Sequence, residues 1–329
     1  MYTIKDVAKL AGVSTTTVSR VMNHLGKFSD KTIKTVFDAI DELHYQPNEI
    51  ARSLNQSKTK VIGVIVPSTS FSLYGKLVSV IEHTAYLNGY KIMVAQTFSA
   101  PSLVNDFVDM LQQNMVEGII LASRGDENTD FTKIMRPVVG IGGQKSDDGI
   151  PLIRSDNYAA GSIAAKHLIS RDCARLGYIT GHGGGLLYDL RYKGFQDVCD
   201  AAGVQTYPYE IEHSIANQFD ENSKIGSIAY SMFHNHPNMD GLFAETDLLA
   251  MECIQTAASI GYKIPDTLKV VGFGDLYTSR MLTPPLTTVR EDVQHIGEES
   301  TRMLLAGIAG EEVDRLTLVP VTLIERKTT

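Results

Sequence analysis

Tryptophan is absent from this chain of 329 residues, and cysteine is scarce, with three widely spaced residues. Cys173, Cys199 and Cys253 have no C-x-x-C spacing, which argues against a disulfide framework or a cysteine-based zinc site and indicates reduced core thiols. No run of 18 apolar residues occurs, so no transmembrane helix is predicted. The start of the sequence lacks the basic and apolar segments of a signal peptide, and we therefore expect a cytoplasmic protein.

Charge is divided unevenly along the sequence. Residues 1–60 carry nine Lys and Arg against six Asp and Glu, a net charge of +3, which leaves −11 for the rest of a chain whose total is −8. A polyanion attracts the basic segment and repels the acidic body. The charge pattern thus predicts DNA as a partner of the first 60 residues, with an affinity that falls steeply as salt rises, and a chance fluctuation in surface charge is the alternative.

Two short helices joined by a tight turn are predicted within residues 3–22. Thr3 and Asp6 have the spacing of a capping pair, Gly12 ends the first helix, and Ser14 caps the second. Apolar residues with helical spacing predict the buried faces: Val7, Ala8, Leu10 and Ala11, then Val18 and Val21. The outer face of the second helix holds Thr15, Thr16, Ser19 and Arg20. This is the shape of a helix-turn-helix that reads a DNA major groove, with an ordinary helical hairpin as the alternative.

A third helix and a short fourth one are predicted next. From Ser29 or Asp30 to about Leu43, apolar residues recur with helical spacing at Ile33, Val36, Phe37, Ile40 and Leu43, and they are expected in one small core shared by the three helices. Residues 48–55, capped by Asn48, are too few for a stable isolated helix and need a partner in order to fold.

Several short motifs in this region match a known family pattern: Asp6-Val-Ala, Ala11-Gly-Val-Ser14, Thr17-Val-Ser-Arg-Val21, Asn23, Tyr45-x-Pro-Asn48 and Ala51-Arg-Ser-Leu54. With them, residues 1–60 resemble the headpiece of the lactose-repressor/galactose-repressor family of bacterial regulators. The resemblance implies that Thr15, Thr16 and Arg20 face bases and that Leu54 is an apolar wedge in the minor groove. The predicted DNA contacts are Thr3, Ser14, Thr15, Thr16, Thr17, Ser19, Arg20, Asn23, Ala51 and Leu54.

Beyond Lys60, short apolar runs alternate with helical stretches. This rhythm is typical of βαβ units and predicts two doubly wound α/β lobes with parallel sheets behind an all-α headpiece. The predicted domains are a headpiece (1–46), a hinge helix and linker (47–60) and a core (61–329). Within the core we expect lobe 1 at about 61–160 and 291–318, and lobe 2 at about 161–290 and 319–329.

Polar residues follow several of the predicted strands. Ligands of open α/β sheets bind beyond the carboxyl ends of the strands, so two such lobes predict a small-molecule site in the cleft between them. Carboxylates, hydroxyls and an arginine suit a carbohydrate, on whose face an aromatic ring can stack. The predicted effector-binding residues are Ser70, Phe71, Tyr74, Ser123, Asp156, Arg191, Thr246, Asp247 and Asp275.

The core resembles the sugar-binding core of the same family, which is similar to periplasmic sugar-binding proteins. In that pattern Arg191-Tyr-Lys-Gly-Phe195 holds the effector through its arginine, and Ser155-Asp-Asn157 contributes an aspartate. The sequence departs from the pattern where Gly274 precedes Asp275 and where Glu245-Thr246-Asp247 replaces an Asn-Asp pair. The strand-end aspartates have helix capping as an equally good interpretation.

These patterns predict a homodimeric repressor of a carbohydrate-utilisation operon, of a type that resembles sucrose-operon repressors. Its two hinge helices would lose their order when a small sugar or sugar phosphate binds. The alternatives are a catabolite-control regulator that answers to a phosphorylated carrier protein, and a plain sugar-binding protein or enzyme. No catalytic signature, metal site or cofactor motif is recognised, and no heptad pattern for a tetramer-forming helix follows the core.

Overall fold

The computed structural model describes residues 2–45, 59–70, 72–98, 100, 102–123, 131–143, 149–181, 186–211 and 225–329. Contacts divide the chain into two units, Met1–Thr59 and Lys60–Thr329. The predicted hinge helix, with Ala51 and Leu54, lies outside the described residues, as does Phe71.

The described part of the first unit contains α1 (Ile4–Ala11), α2 (Thr15–Met22) and α3 (Asp30–Glu42). Asp6 accepts hydrogen bonds from the Thr3 N–H and hydroxyl, both at 2.8 Å, and Gly12 ends α1 in a left-handed conformation with φ of 66°. The Ser14 hydroxyl accepts from the Thr17 N–H at 3.1 Å, and Ser29 caps α3 in the same way. The predicted helix ends in this segment are confirmed.

The core of this unit is smaller than the helical spacing predicts. Val7, Val18 and Val36 are fully buried where the three helices meet. In contrast, Leu10, Ile33 and Phe37 are 45%, 36% and 38% exposed, so placing them in the core was wrong. Three helices of 8 to 13 residues enclose a narrow core, and side chains on the flank of an apolar stripe remain at its rim.

The second unit alternates strands and helices, as predicted. Its strands are β1 (Val61–Val66), β2 (Lys91–Gln96), β3 (Ile119–Ser123), β4 (Val138–Gly142), β5 (Leu152–Ser155), β6 (Arg175–Gly181), β7 (Gln205–Ile211), β8 (Gly241–Ala244), β9 (Lys269–Phe273), β10 (Thr287–Arg290), β11 (Leu316–Val319) and β12 (Thr322–Ile324). Its helices are α4 (Ser72–Leu87), α5 (Leu103–Gln113), α6 (Asn157–Ser170), α7 (Leu186–Ala202), α8 (Ile225–Asn235), α9 (Asp247–Ser259) and α10 (Val293–Ala309).

Two six-stranded sheets organise this unit. Their strand orders are β11-β5-β4-β3-β1-β2 and β12-β10-β9-β8-β6-β7, and neighbouring strands pair in parallel except for β10 with β12. Both faces of each sheet are buried, with α4 and α10 on one face of the first sheet and α5 on the other. In the second sheet, α6 and α7 cover one face and α8 and α9 cover the other. The predicted α/β fold with two doubly wound lobes is confirmed.

The chain passes between the lobes at residues 155–157, 290–293 and 319–322. The chain leaves the first sheet at the carboxyl ends of β5 and β11, and it leaves the second sheet at the carboxyl end of β10. The carboxyl ends of these three strands therefore lie at the passages. Adjacent passages are joined by the Asp156 N–H, which donates to the Val319 carbonyl at 2.9 Å. The predicted lobe limits lie close to these passages and stay a prediction.

None of the helices in the described ranges has the length and apolar character needed to cross a bilayer.

Candidate functional site

The first unit presents a polar face on α2. Thr15, Thr16 and Arg20 are exposed, while Val18 and Val21, on the opposite side of the helix, are buried. This is the arrangement that a helix needs in order to enter a groove while its other side stays in a core.

The other predicted DNA contacts in the described residues lie at the helix ends. Thr3 and Ser14 occupy cap positions, and the Thr17 hydroxyl is 2.9 Å from the Ser14 hydroxyl. Asn23 donates from its side chain to the Ser19 carbonyl at 2.7 Å, at the end of α2. Thr3 thus orders the start of α1, while Ser14, Thr17 and Asn23 order the ends of α2. Their predicted contact with DNA stays a prediction.

The Arg20 side chain lies next to two residues outside the predicted DNA contacts, Phe28 and Gly26. Its guanidinium carbon lies 5.9 Å from the Phe28 ring centroid. A Cβ added at Gly26 would lie 2.9 Å from Arg20 Nη2, and the φ of Gly26 is 100°. Glycine at position 26 therefore leaves room for the arginine, a packing relation that no local motif reveals.

In the second unit, Arg191 is the positively charged residue among those predicted to bind the effector, and its side chain is buried. It is 4% exposed, and its guanidinium carbon lies 3.5 Å from the Phe273 ring centroid. Its Nε and Nη2 donate to Asn157 Oδ1 at 3.1 and 2.5 Å, and Nη1 donates to the Glu245 carbonyl at 2.5 Å. Arg191 thus joins α7 to the start of α6 and to the carboxyl ends of β8 and β9.

Two glycines allow α6 and α7 to approach so closely. A Cβ at Gly161 would lie 1.9 Å from the Arg191 carbonyl oxygen, and one at Gly194 would lie 2.0 Å from the Tyr158 carbonyl oxygen. The helices therefore touch backbone to backbone, which only glycine permits. This contact sets the position from which Arg191 reaches Asn157.

Carboxylates surround the passages between the lobes. The Ser155 hydroxyl donates to Glu291 Oε2 at 2.6 Å, which joins two of the passages. Burial raises the pKa of Glu291, and the Ser155 hydrogen bond and the charge of Arg191 oppose that rise. Glu245 Oε2 accepts from the Gly181 N–H at 2.7 Å and from the Thr180 hydroxyl. Asn157, Glu245 and Glu291 were not predicted as site residues, although the first two stand within motifs already noted.

Most of the predicted effector residues that lie next to Arg191 in the fold have local partners. Asp156 caps α6 by accepting from the Ala159 N–H at 2.9 Å, and Thr246 caps α9 through the Leu249 N–H at 3.2 Å. Asp247 is fully buried, and it accepts from the Leu276 N–H and from the Ser279 and Thr288 hydroxyls at 2.8, 2.5 and 2.5 Å. Burial raises the pKa of Asp247, and these hydrogen bonds oppose the rise. A direct effector contact by these three residues stays a prediction.

The predicted residues from the first lobe are less well assembled. Ser70 is exposed, with its N–H 3.2 Å from the Ser68 hydroxyl. Tyr74 is half-buried and packs on the core between α4 and its sheet. Ser123 ends β3 at the edge where the passages lie.

Asp275 is held by three arginines. Its side chain is 2% exposed; Arg290 Nε and Arg280 Nη2 contact Oδ2 at 2.7 and 3.1 Å, and Arg326 contacts Oδ1. Burial alone would raise the pKa of Asp275, but the three guanidinium groups outweigh it and leave the pKa below its ordinary value. A main-chain φ of 49° completes a tightly fixed turn after β9.

Asp275→Asn is expected to reduce the free energy of unfolding by about 2 kcal/mol at pH 7, because a buried charge-assisted network loses its anion. The folded-state pKa is lowered, so the carboxylate stabilises the fold above the ordinary Asp pKa near 4, and that contribution is lost as pH falls through the lower folded-state value. Urea unfolding of both proteins at pH 7 and pH 3 tests this. The difference in the free energy of unfolding between the wild type and Asp275→Asn should be smaller at pH 3 than at pH 7. The exposed variant Asp266→Asn should leave the free energy of unfolding nearly unchanged at both pH values. An equal difference for Asp275→Asn at both pH values would contradict the proposed charge network.

A cavity of about 350 Å³ opens at the carboxyl ends of β6 and β7, with Thr180, Tyr192, Tyr209 and Glu210 in its lining. The volume lies in the range of small-molecule sites. It begins at Gly181, whose N–H contacts Glu245, one residue from Thr246. Among the described residues, no group of three or more His, Cys, Asp or Glu side chains is placed to hold a metal ion.

Comparison with known proteins agrees with both units. Residues 3–48 match the family model "Bacterial regulatory proteins, lacI family", and residues 165–329 match the model "Periplasmic binding protein-like domain". The Lac repressor bound to ONPG has a similar structure, with a TM-score of 0.88 and 25% identity, covering 100% of this chain and 99% of that one.

Several relatives match over almost their whole length. The ribose operon repressor of Halalkalibacterium halodurans is 32% identical (100% of this chain, 97% of the relative). The sucrose operon repressor of Streptococcus mutans is 31% identical (98% and 97%), and the transcriptional repressor PurR of Mannheimia succiniciproducens is 30% identical (97% and 95%). The chain belongs to the LacI family of bacterial transcriptional regulators.

Proposed function

We propose that this protein represses a carbohydrate-utilisation operon and that a small sugar or sugar phosphate, bound between its two lobes, sets its affinity for the operator. The observation that carries the proposal is the buried guanidinium of Arg191 at the passages between the lobes. A ligand that contacts Arg191 lies beside the residues at which the chain crosses between the lobes. Its binding can therefore favour one arrangement of the two lobes over another.

The chemistry of this region suits a polyhydroxylated ligand. Arg191 and Asn157 supply planar donors and acceptors, Glu245 and Glu291 supply carboxylates, and Phe273 supplies an aromatic face. Such groups recognise neighbouring hydroxyls in pairs. The relatives named for ribose, sucrose and purine control have nearly the same sequence identity to this chain. Overall identity therefore does not select the ligand.

On the DNA side, Thr15, Thr16 and Arg20 of α2 read bases in the major groove, while Ala51 and Leu54 bind the minor groove. The exposed face of α2 supports the first part of this proposal. The second part rests on the sequence pattern, because both residues lie outside the described ranges. A pseudo-palindromic operator read by two headpieces requires a homodimer, which acts in the cytoplasm and on the nucleoid when bound to DNA.

The test is binding of the purified full chain to DNA from its own promoter at fixed salt, with and without ribose, sucrose, their phosphates, hypoxanthine and guanine. Specific binding that one of the sugars weakens or strengthens supports the proposal and gives the sign of control. A response to a purine alone overturns the sugar assignment. Tight specific binding without any response to these compounds favours a phosphorylated carrier protein as the signal.

Arg20→Ala is expected to relax base preference at one operator position, since a bidentate arginine contact to guanine provides about 1 to 3 kcal/mol of discrimination. Arg20→Lys is the matched control for charge: it keeps the cation and loses the two-pronged contact, so it should relax the same position. Binding to an operator library, sequenced before and after selection, measures the preference at each position. Unchanged preference in both variants would contradict base reading by Arg20.

A further inference from the structure

A cluster of Lys60, Tyr90 and Glu117 lies where the chain enters the second unit. The Lys60 N–H donates to Glu117 Oε1 at 2.6 Å, and the Tyr90 hydroxyl donates to Glu117 Oε2 at 3.1 Å. The Lys60 ammonium lies 4.2 Å from the centroid of the Tyr90 ring. These three residues, called here the Lys60 cluster, lie just before β1, β2 and β3. Together they surround the main-chain N–H of Lys60.

The backbone inside this ring is strained. Lys60 has a φ of 54°, in the left-handed region that a residue with a Cβ enters at a cost. Hydrogen bonds on both sides fix the conformation: the Lys91 N–H donates to the Lys60 carbonyl, and the Glu117 N–H donates to the Val61 carbonyl, both at 2.8 Å. Such a conformation persists where its surroundings determine it.

Glu117 and Tyr90 are both only 8% exposed. Removing a carboxylate from water is unfavourable unless its hydrogen bonds compensate. Here that carboxylate is used to hold the peptide N–H of Lys60, the first residue of the second unit. Apolar packing alone would bury the same area without fixing this dihedral angle.

We propose that Glu117 and Tyr90 are positioning residues for DNA binding: they hold Lys60, the residue at which the second unit joins the preceding chain, in its left-handed conformation. Glu117 immediately precedes Gly118, where an added Cβ would lie 2.8 Å from Leu304 Cδ1 of α10. Helix α10 begins at Val293, directly after the passage that contains Glu291. The Lys60 cluster is therefore connected by packed, regular structure to the passages between the lobes.

Amide hydrogen exchange at Lys60 tests the geometry in the full chain. The wild-type amide should be protected, and Glu117→Ala should speed its exchange at least about tenfold, since the amide loses its acceptor and one residue regains backbone freedom. Glu117→Gln keeps an oxygen for the Lys60 N–H and should retain most of the protection. Exposed Glu82→Ala is the matched control. Equal exchange in wild type and Glu117→Ala overturns the proposal.

Affinity for the protein's own promoter DNA tests the positioning role, and this arm rests on the proposed function. Glu117→Ala should weaken specific binding about five- to tenfold, as expected when one linker residue loses its fixed conformation. Binding to sonicated non-specific DNA should not change, because the headpiece surface is intact. Wild-type affinity in Glu117→Ala overturns the proposal.

Second-site variants separate positioning from plain stability. Asparagine enters the left-handed region more readily than glutamine. Added to Glu117→Ala, Lys60→Asn should therefore restore part of the specific affinity and Lys60→Gln should not, each judged against its single variant. Equal effects of Asn and Gln, together with a lowered Tm, would overturn positioning in favour of a merely structural role. If the wild type shows no specific promoter binding, the proposed function fails, and the exchange result by itself decides whether Glu117 holds Lys60.

Discussion

Gly161→Ala is expected to lower the free energy of unfolding of the second unit by about 3 kcal/mol, although alanine normally stabilises a helix by up to about 1 kcal/mol relative to glycine. The sign reverses because the new Cβ would lie 1.9 Å from the Arg191 carbonyl oxygen and 2.7 Å from the Phe195 nitrogen. Both are main-chain atoms, so no side-chain rotation relieves the clash and α6 must move away from α7. Urea unfolding followed by circular dichroism measures the loss.

Two further substitutions make this prediction specific. Gly194→Ala should be equally damaging, since its Cβ would lie 2.0 Å from the Tyr158 carbonyl oxygen. Gly226→Ala in α8 is the control, because its Cβ would be no closer than 3.8 Å to the Thr256 hydroxyl, and we expect no loss of stability and a gain of at most about 1 kcal/mol. Stability of Gly161→Ala equal to that of Gly226→Ala would show that the two helices are not in backbone contact.

Arg191→Ala is expected to abolish the response to the effector while leaving effector-free operator affinity within about twofold of the wild type. Loss of charge-assisted hydrogen bonds to a ligand costs about 1.5 to 3 kcal/mol each, so effector affinity should fall at least about 100-fold. The variant should also lose about 2 kcal/mol of stability, because Asn157 Oδ1 and the Glu245 carbonyl lose their donor. Titration calorimetry with the active sugar measures the first effect, and urea unfolding measures the second.

Matched variants separate the charge of Arg191 from its shape. Arg191→Lys keeps the positive charge but cannot donate from two nitrogens to Asn157 or stack as a plane on Phe273, so we expect most of the effector affinity to be lost as well. Arg302→Ala removes an arginine that is 67% exposed and pairs with Glu299 within α10, and it should leave the response intact. Loss of operator affinity in Arg191→Ala to the same degree as in Arg20→Ala would contradict separate DNA and effector sites.

Prediction from sequence succeeded where structure depends on neighbours along the chain. Ser14 and Ser29 cap their helices by accepting from N–H groups three residues on, and Gly12 ends α1, so a few neighbouring residues predict these boundaries. The apolar run of β1 likewise predicts a strand buried on both faces. The prediction of burial was wrong for Leu10 and Phe37, because helical spacing gives the direction of an apolar face and not how far a small core extends.

Some residues of the candidate site could be predicted from the sequence, and others are brought there only by the fold. Arg191 was found from the sequence, but Asn157, Glu245 and Phe273 lie 34, 54 and 82 residues from it, and their meeting depends on the order of the strands and on the backbone contact at Gly161. The three arginines that surround Asp275, Arg280, Arg290 and Arg326, were not foreseen from the sequence, and the predicted effector contact of Asp275 stays a prediction.

The sequence by itself determined the helix-turn-helix, the alternation of strands and helices and the two lobes, because each is set by local propensity and by the period of apolar residues. The family followed from the resemblance of its short motifs to a known pattern. Tertiary structure alone decided which charges are neutralised, which carboxylates cap helices and which one fixes Lys60. Those relations join residues far apart in the chain, and their energies depend on burial and on distances of a few ångströms, which exist only once the sheets have formed.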